Sequence, residues 1–170
     1  MLAQLLIFHL AAVWLVQNMG RPGEIVDLGY ALTPDLTGSR AVHLFHDVVI
    51  TSAPVVAAAW AGKTAEFGKL MLLVFVFRHF MNALTILPPP PSCDLDKPWW
   101  RTLLFGGCFD KIPSGHFASV LVITSLLPMS GPLLVAIRAV SAFVILSLRH
   151  HYSIDLAVAW LLVNFVMSAA

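Results

Sequence analysis

Residues 132–148 read PLLVAIRAVSAFVILSL and residues 152–168 read YSIDLAVAWLLVNFVMS, and these two apolar stretches indicate the fold class of the chain. Each approaches the roughly 20 apolar residues that a helix needs to cross a bilayer. Four similar stretches precede them, at roughly Leu2–Val16, Phe45–Ala61, Phe67–Leu87 and Phe117–Pro128. Because backbone polar groups cannot stay unpaired in hydrocarbon, all six are expected to be helices. The pattern predicts an all-α polytopic membrane helical bundle with about six transmembrane helices, in a single domain over residues 1–170.

The composition supports this interpretation. Of 170 residues, 59% are hydrophobic and only 11% are charged, with a mean hydropathy of +0.86. A soluble domain usually carries about 25% charged residues. The formal net charge of +1 gives no basic surface for a nucleic acid, so nucleic acid is not expected as a partner. For the first stretch a cleaved signal is the alternative to a membrane helix, but no Lys or Arg precedes Arg21, and a signal peptide begins with a basic region.

Two short motifs carry the candidate chemistry. Residues 108–116 read CFDKIPSGH and residues 151–155 read HYSID, each at the start of an apolar stretch. His151 and Asp155 are four residues apart, on one face of a helix, so the carboxylate can hold the imidazole. Ser114 and the amides around Gly115 open a helix, where an anion is favoured. An even six-helix arrangement puts both motifs at one membrane edge, where one of the imidazoles of His116 and His151 could attack phosphorus while the other protonates the leaving oxygen.

Other polar residues are weaker candidates. The neighbouring His150 would pair with Ile154, and isolated histidines such as His43, His46 and His79 are usually ordinary interfacial residues. Arg78 and Arg138 lie inside apolar stretches, where a charge is costly and should face a polar interior. Arg78 is expected to contact substrate, Arg138 to belong to a structural ion pair, and Arg149 to bind phosphate or to anchor the chain at the interface. The candidate substrate-binding residues are Arg78, Asp110, Lys111, Ser114, Gly115 and Arg149.

No metal site and no cofactor are expected. The sequence has no His-x3-His or Cys-x2-Cys pattern, and His/Asp chemistry can proceed without a metal. Cys93 and Cys108 lie in one polar segment and could form a disulfide on an oxidising side or remain free thiols.

The motifs resemble those of a known family. Pro113–His116 and His151-x-x-x-Asp155 are similar to the second and third motifs of the type 2 phosphatidic acid phosphatase superfamily. The longer strings around them, together with residues 77–78, 85–93 and a fainter echo at Val26–Tyr30, resemble the sphingomyelin synthase branch. Phe109, Phe117 and Trp160 depart from that branch, and the phosphatases' Lys-x6-Arg-Pro motif is absent.

The resemblance implies transfer of a phospho-alcohol headgroup, such as phosphocholine, from a glycerophospholipid to ceramide or diacylglycerol. It assigns His151 as nucleophile, Asp155 as its partner and His116 as general acid. A lipid phosphatase or a phospholipase C-like hydrolase is the alternative, and a non-catalytic membrane transporter or scaffold is a further one. The resemblance implies a multi-pass protein with an exoplasmic or lumenal site, whereas the excess of Lys and Arg on the motif side would place that side in the cytoplasm. The oligomeric state is left open.

Overall fold

The protein is described by a computed structural model that covers residues 26–84 and 112–169. Its elements, in chain order, are α1 (Leu28–Leu32), α2 (Arg40–Phe45), a π-helix (His46–Ser52), α3 (Ala53–Trp60), α4 (Thr64–Leu84), α5 (Gly115–Leu126), α6 (Gly131–Ser147) and α7 (Ser153–Ala169). These two ranges contain no strand, which confirms the all-α prediction for this part of the chain. The predicted stretch Leu2–Val16 lies outside the described residues, and the other five coincide largely with helices.

One helix in the described ranges is long and apolar enough to cross a membrane. It runs without interruption from Arg40 to Trp60, through α2, the π-helix and α3, with 21 residues and a mean hydropathy of 1.5. The apolar helices α5, α6 and α7 are shorter, at 12, 17 and 17 residues. α4 also has 21 residues but contains Glu66, Lys69 and Arg78. By length and composition, the described residues therefore contain one candidate membrane span.

The short helix α5 forms the centre of the bundle. It packs against α4, α6 and α7, and most of its side chains are buried on all faces. A helix that is apolar all round is one that other helices surround. Ala118 of α5 and Ala159 of α7 are both completely buried, and such small residues let helix backbones approach closely. The outer helices shield α5 and position its first residues.

The outer surface of the bundle carries many large apolar side chains. Trp60 is 92% exposed, Leu32 is 74% exposed and Leu72 is 65% exposed, and further exposed Val, Leu and Phe residues lie on α2, α4, α6 and α7. Monomeric soluble proteins rarely expose contiguous apolar patches on this scale. This surface is suited to contact with lipid or with another apolar partner.

The π-helix has a cause in the sequence. Pro54 has no backbone N–H, and its ring clashes with the carbonyl four residues earlier, so a regular α-helix cannot continue through it. The chain widens instead: the N–H of Ala53 donates to the carbonyl of Val48, five residues back. The Ser52 hydroxyl donates to the carbonyl of Asp47 at 2.9 Å. The wider turns change the phase of the helix, and His46 at their start is directed inward, with 3% exposure.

Two helical elements begin before the predicted stretch Phe45–Ala61, namely α1 and the first residues of α2. Asp27 caps α1, since its Oδ1 accepts a hydrogen bond from the N–H of Tyr30 at 2.9 Å. Its other oxygen accepts from the N–H and the hydroxyl of Ser153, at 2.7 and 2.8 Å. One carboxylate therefore joins the ends of α1 and α7, which are 126 residues apart. Because α1 has only five residues, its sequence shows no helical periodicity of apolar residues. The contact between Asp27 and Ser153 stabilises this helix.

Replacing Asp27 by Ala should lower the free energy of unfolding by about 1–3 kcal/mol, because it leaves donors at two helix starts without an acceptor. Denaturant unfolding in detergent micelles would measure the loss. Asp35→Ala is the matched control, since Asp35 is exposed and its carboxylate accepts hydrogen bonds from the N–H and the hydroxyl of Thr37, two residues away. Equal losses in the two variants would contradict the bridging role of Asp27.

Candidate active site

The His151–Asp155 pair has the hydrogen bond that its spacing predicts. Nδ1 of His151 lies 3.1 Å from Oδ2 of Asp155, and the two side chains are 3% and 0% exposed. Because an ionised carboxylate can only accept, Nδ1 carries the proton and the lone pair is on Nε2. The same Oδ2 accepts from the N–H of Tyr152 at 3.0 Å. The arrangement gives His151 a fixed ring and a basic Nε2, as a nucleophile requires.

The start of α5 lies directly beside this pair. Ser114 is the N-cap, and its hydroxyl accepts from the N–H of Phe117 at 3.3 Å. The N–H of Ser114 donates to the backbone carbonyl of Asp155 at 3.1 Å, so the two motifs are joined by their backbones. The rings of His116 and His151 have their centroids 6.1 Å apart. The structure therefore brings His116, His151 and Asp155 together at one end of the bundle.

Arg78 reaches the same end from α4. Its Nη1 lies against Gly115, so closely that a Cβ at that position would collide with it. Gly115 is thus required for close approach of the guanidinium to the start of α5. Six further residues of α4 follow Arg78, so the helix continues for about 9 Å beyond that residue.

Arg149 holds the turn that presents the histidines. It has a φ of 54° in a Schellman cap of α6, with the N–H of Arg149 bonded to Leu146 and that of His150 to Ile145. The guanidinium donates to the carbonyl and hydroxyl of Thr33, both at 3.0 Å, and lies 4.4 Å from the ring centre of Tyr30. These contacts with the α1 segment make Arg149 a structural residue of the turn, and neither of the two predicted roles describes them.

Two further histidines lie at the site: His46, which was expected to be an ordinary interfacial residue, and His150, which was expected to be the weaker candidate. Nδ1 of His150 lies 3.4 Å from Nε2 of His46, and the other nitrogen of His46 lies 3.0 Å from Asp47. The ring of His46 is 4.9 Å from that of His116, and the ring of His43 is 5.4 Å from that of His150. We call His43, His46, His116, His150 and His151 the histidine cluster. The expectation that His150 would pair with Ile154 is wrong, because the cap of α6 turns it towards His46.

The chemical state of His150 follows from its surroundings. Burial lowers the pKa of His150 to about 2, and the nearby imidazoles of the histidine cluster act in the same direction. His150 is therefore neutral at physiological pH and serves as a hydrogen-bonding neighbour of His46. The phenol of Tyr30 also stays protonated, because burial raises its pKa well above the usual range. Its ring lies 5.5 Å from that of Tyr152, beside the nucleophile candidate.

Some predicted residues cannot be placed. Asp110, Lys111, Cys93 and Cys108 all lie outside the described residues. Within residues 26–84 and 112–169, no group of three or more His, Cys, Asp or Glu side chains could hold a metal ion.

Comparison of the chain with family models, with curated proteins and with solved structures gives no match. The geometry of the site therefore carries the functional argument.

The low pKa of His150 should make the protein acid-sensitive. An unfolded histidine takes up a proton near pH 6.5, whereas His150 in the folded protein resists protonation until about pH 2. Folding stability should therefore fall as the pH drops below about 6.5, by at most about 1.4 kcal/mol per pH unit for this group. His150→Asn should flatten that dependence between pH 6.5 and 5 in denaturant unfolding. His79→Asn, at an exposed position on α4, should leave it unchanged. A slope that His150→Asn does not alter would refute the assignment.

Proposed function

We propose that this chain is a multi-pass membrane enzyme of the sphingomyelin synthase-like family, with about six transmembrane helices. It transfers a phospho-alcohol headgroup, such as phosphocholine, from a glycerophospholipid to the hydroxyl of ceramide or diacylglycerol. The observation that carries the proposal is the buried His151–Asp155 pair lying beside His116, at the joined starts of α5 and α7. An imidazole held by a carboxylate next to a second imidazole is suited to phosphoryl transfer through a covalent intermediate.

In the first half-reaction Nε2 of His151 attacks the phosphorus of the donor lipid. The bond between phosphorus and the glycerol oxygen breaks, and that oxygen takes a proton from the His116 imidazolium. Diacylglycerol leaves, and the headgroup phosphate stays bound to His151. Asp155 stabilises the positive charge that develops on the ring of His151 and keeps the ring in the attacking tautomer.

In the second half-reaction the hydroxyl of the acceptor lipid attacks the phosphorus of phospho-His151. The acceptor proton passes to neutral His116, and the bond between phosphorus and nitrogen breaks. His151 is regenerated as a neutral imidazole and His116 as an imidazolium, so the cycle closes with no net proton uptake. The same step with water as acceptor would release a phospho-alcohol instead.

The site is suited to the single negative charge of a phosphodiester. The first N–H groups of α5 have no acceptor within their helix, and the helix dipole favours an anion there. The Arg78 guanidinium lies against Gly115 at the same place and supplies a positive charge. These donors can stabilise the equatorial oxygens as charge develops in the transition state.

Transfer is favoured over hydrolysis by the apolar surroundings. Ile112 and Phe117 flank His116 in the sequence, Leu156 follows Asp155, and all three side chains are buried. The exposed apolar surface of the outer helices suits a site that lipids reach sideways from the bilayer. Such a site can exclude water when the acceptor binds. The side with the histidine cluster would then face the exoplasm or the lumen of an organelle.

A liposome assay tests the proposal. Purified protein with a radiolabelled phosphatidylcholine donor should form a new labelled phospholipid when ceramide or diacylglycerol is present, and should hydrolyse the donor only slowly without it. Labelled phosphocholine released at the same rate in both cases, with no new phospholipid, would show a hydrolase instead.

His151→Ala should abolish turnover, and Asp155→Asn should slow it by roughly three orders of magnitude. Wild-type turnover in His151→Ala would refute the nucleophile assignment, with His79→Ala as the control.

Gly115→Ala should slow headgroup transfer by about tenfold to a hundredfold, because the added methyl displaces the guanidinium of Arg78 from the phosphate position. The fold should survive, since a flexible side chain can move aside. Gly131→Ala is the matched control: Gly131 also begins a helix, but nothing lies within 4 Å of its added Cβ. Equal activity in the two variants, measured in the liposome assay, would remove Arg78 and Gly115 from the site.

A further inference from the structure

A second polar cluster lies at the opposite end of the bundle from the histidine cluster. α5 begins and α6 ends beside the histidines, so the turn between Leu126 and Gly131 is at the far end. Arg138 lies seven residues into α6, about 10 Å from its start. Its side chain contacts the last turn of α5: Nε donates to the Thr124 hydroxyl at 3.0 Å, and Nη2 donates to the Ser125 hydroxyl at 2.7 Å. The guanidinium is thus drawn towards the far end of the bundle.

The hydrogen-bond partners of the Arg138 guanidinium are all neutral. Besides the hydroxyls of Thr124 and Ser125, the backbone carbonyl of Leu121 lies 3.3 Å from Nη2. No carboxylate in the described part of the chain pairs with Arg138, so the expected structural ion pair is wrong there. Arg138 is only partly buried, Ser125 is exposed, and Nη1 makes no hydrogen bond in the same residues. The cluster therefore holds a partly exposed positive charge in place beside the exposed Ser125.

Lys63 provides a contrast at the same end of the bundle. It lies between α3 and α4, and its ammonium is 2.8 Å from the carboxylate of Glu66. The charge of Lys63 is thus paired with an acidic side chain, whereas that of Arg138 is hydrogen-bonded only to two hydroxyls and one carbonyl among the described residues. A charge inside an apolar stretch of a membrane helix is costly, and an anion from outside the chain would stabilise Arg138 better than these neutral groups do.

We propose that Arg138, held by Thr124 and Ser125, binds the phosphate group of a phospholipid with net negative charge, in the leaflet opposite the histidine cluster. A guanidinium matches the geometry of phosphate oxygens and can bind two of them through parallel N–H groups. Basic pockets between membrane helices recognise lipid headgroups in this way. The inference assumes that the bundle spans a bilayer, but it does not depend on the lipid reaction proposed above.

Thermal unfolding in nanodiscs tests the site. Nanodiscs of phosphatidylcholine alone are compared with nanodiscs that also contain phosphatidylglycerol. The anionic lipid should raise the Tm of the wild-type protein by about 2–4 °C, because a ligand that binds only the folded state stabilises it. Arg138→Gln should lose this increment, whatever its own Tm in phosphatidylcholine. Lys63→Gln, at the same face, should keep it.

Three results would overturn the inference. The first is that the rise in Tm caused by the anionic lipid persists in Arg138→Gln. The second is that this rise also disappears in Lys63→Gln, which would indicate an effect of general surface charge. The third is that inorganic phosphate alone gives the same rise in Tm in detergent, which would indicate a site for free anions. If Arg138→Gln does not fold, Ser125→Ala replaces it, since that variant keeps the charge and removes the 2.7 Å hydrogen bond that orients it. Its increment should fall by at least half, and an unchanged one refutes the site. None of these measurements uses headgroup transfer, so their failure is distinct from failure of the proposed reaction.

Discussion

The arrangement at the histidine end of the bundle depends on one buried carboxylate, that of Asp155. A charge removed from water is tolerated only when hydrogen bonds replace its solvation. Oδ2 of Asp155 accepts from His151 and from the N–H of Tyr152, and the backbone carbonyl of the same residue accepts from Ser114. The hydrogen bond that compensates the carboxylate charge therefore orients the ring of His151. The backbone carbonyl of Asp155 sets the position of the start of α5 through its hydrogen bond with Ser114. His116 follows two residues later and is placed opposite the pair by the same contacts.

The turn that carries His150 and His151 is supported by a segment distant in sequence. A left-handed residue that is not glycine costs about 1–2 kcal/mol, and Arg149 adopts that conformation at the end of α6. Its hydrogen bonds to Thr33 and its contact with the Tyr30 ring offset this cost. Asp27 secures the other side of the turn through Ser153. The α1 segment therefore acts as a brace, which gives residues 26–33 a role in positioning the nucleophile candidate.

The two ends of the bundle differ in how charge is handled. At one end, carboxylates and imidazoles form hydrogen-bonded pairs around the short helix α5, whose 12 residues span only about 18 Å. At the other end, Arg138 keeps a charge that hydroxyls orient but do not neutralise. Between them lies an apolar core, and the outer helices expose large apolar side chains. The apolar core therefore separates the paired groups at one end of the bundle from the oriented charge of Arg138 at the other.

The helical class, the approximate ends of five helices, the Ser114 cap and the contact between His151 and Asp155 can all be predicted from the amino-acid sequence. These features are local: an apolar run, a capping hydroxyl or a four-residue spacing specifies its own geometry, whatever the rest of the chain does. Tertiary packing was needed to show that His46 and His150 join His116, that Arg149 turns towards Thr33, and that Arg138 has neutral partners among the described residues. Those outcomes depend on the phase of a helix widened before Pro54, on a helix cap without glycine, and on which faces of α5 and α6 meet. No spacing along the chain encodes them, because each requires two segments to be packed before their side chains can meet.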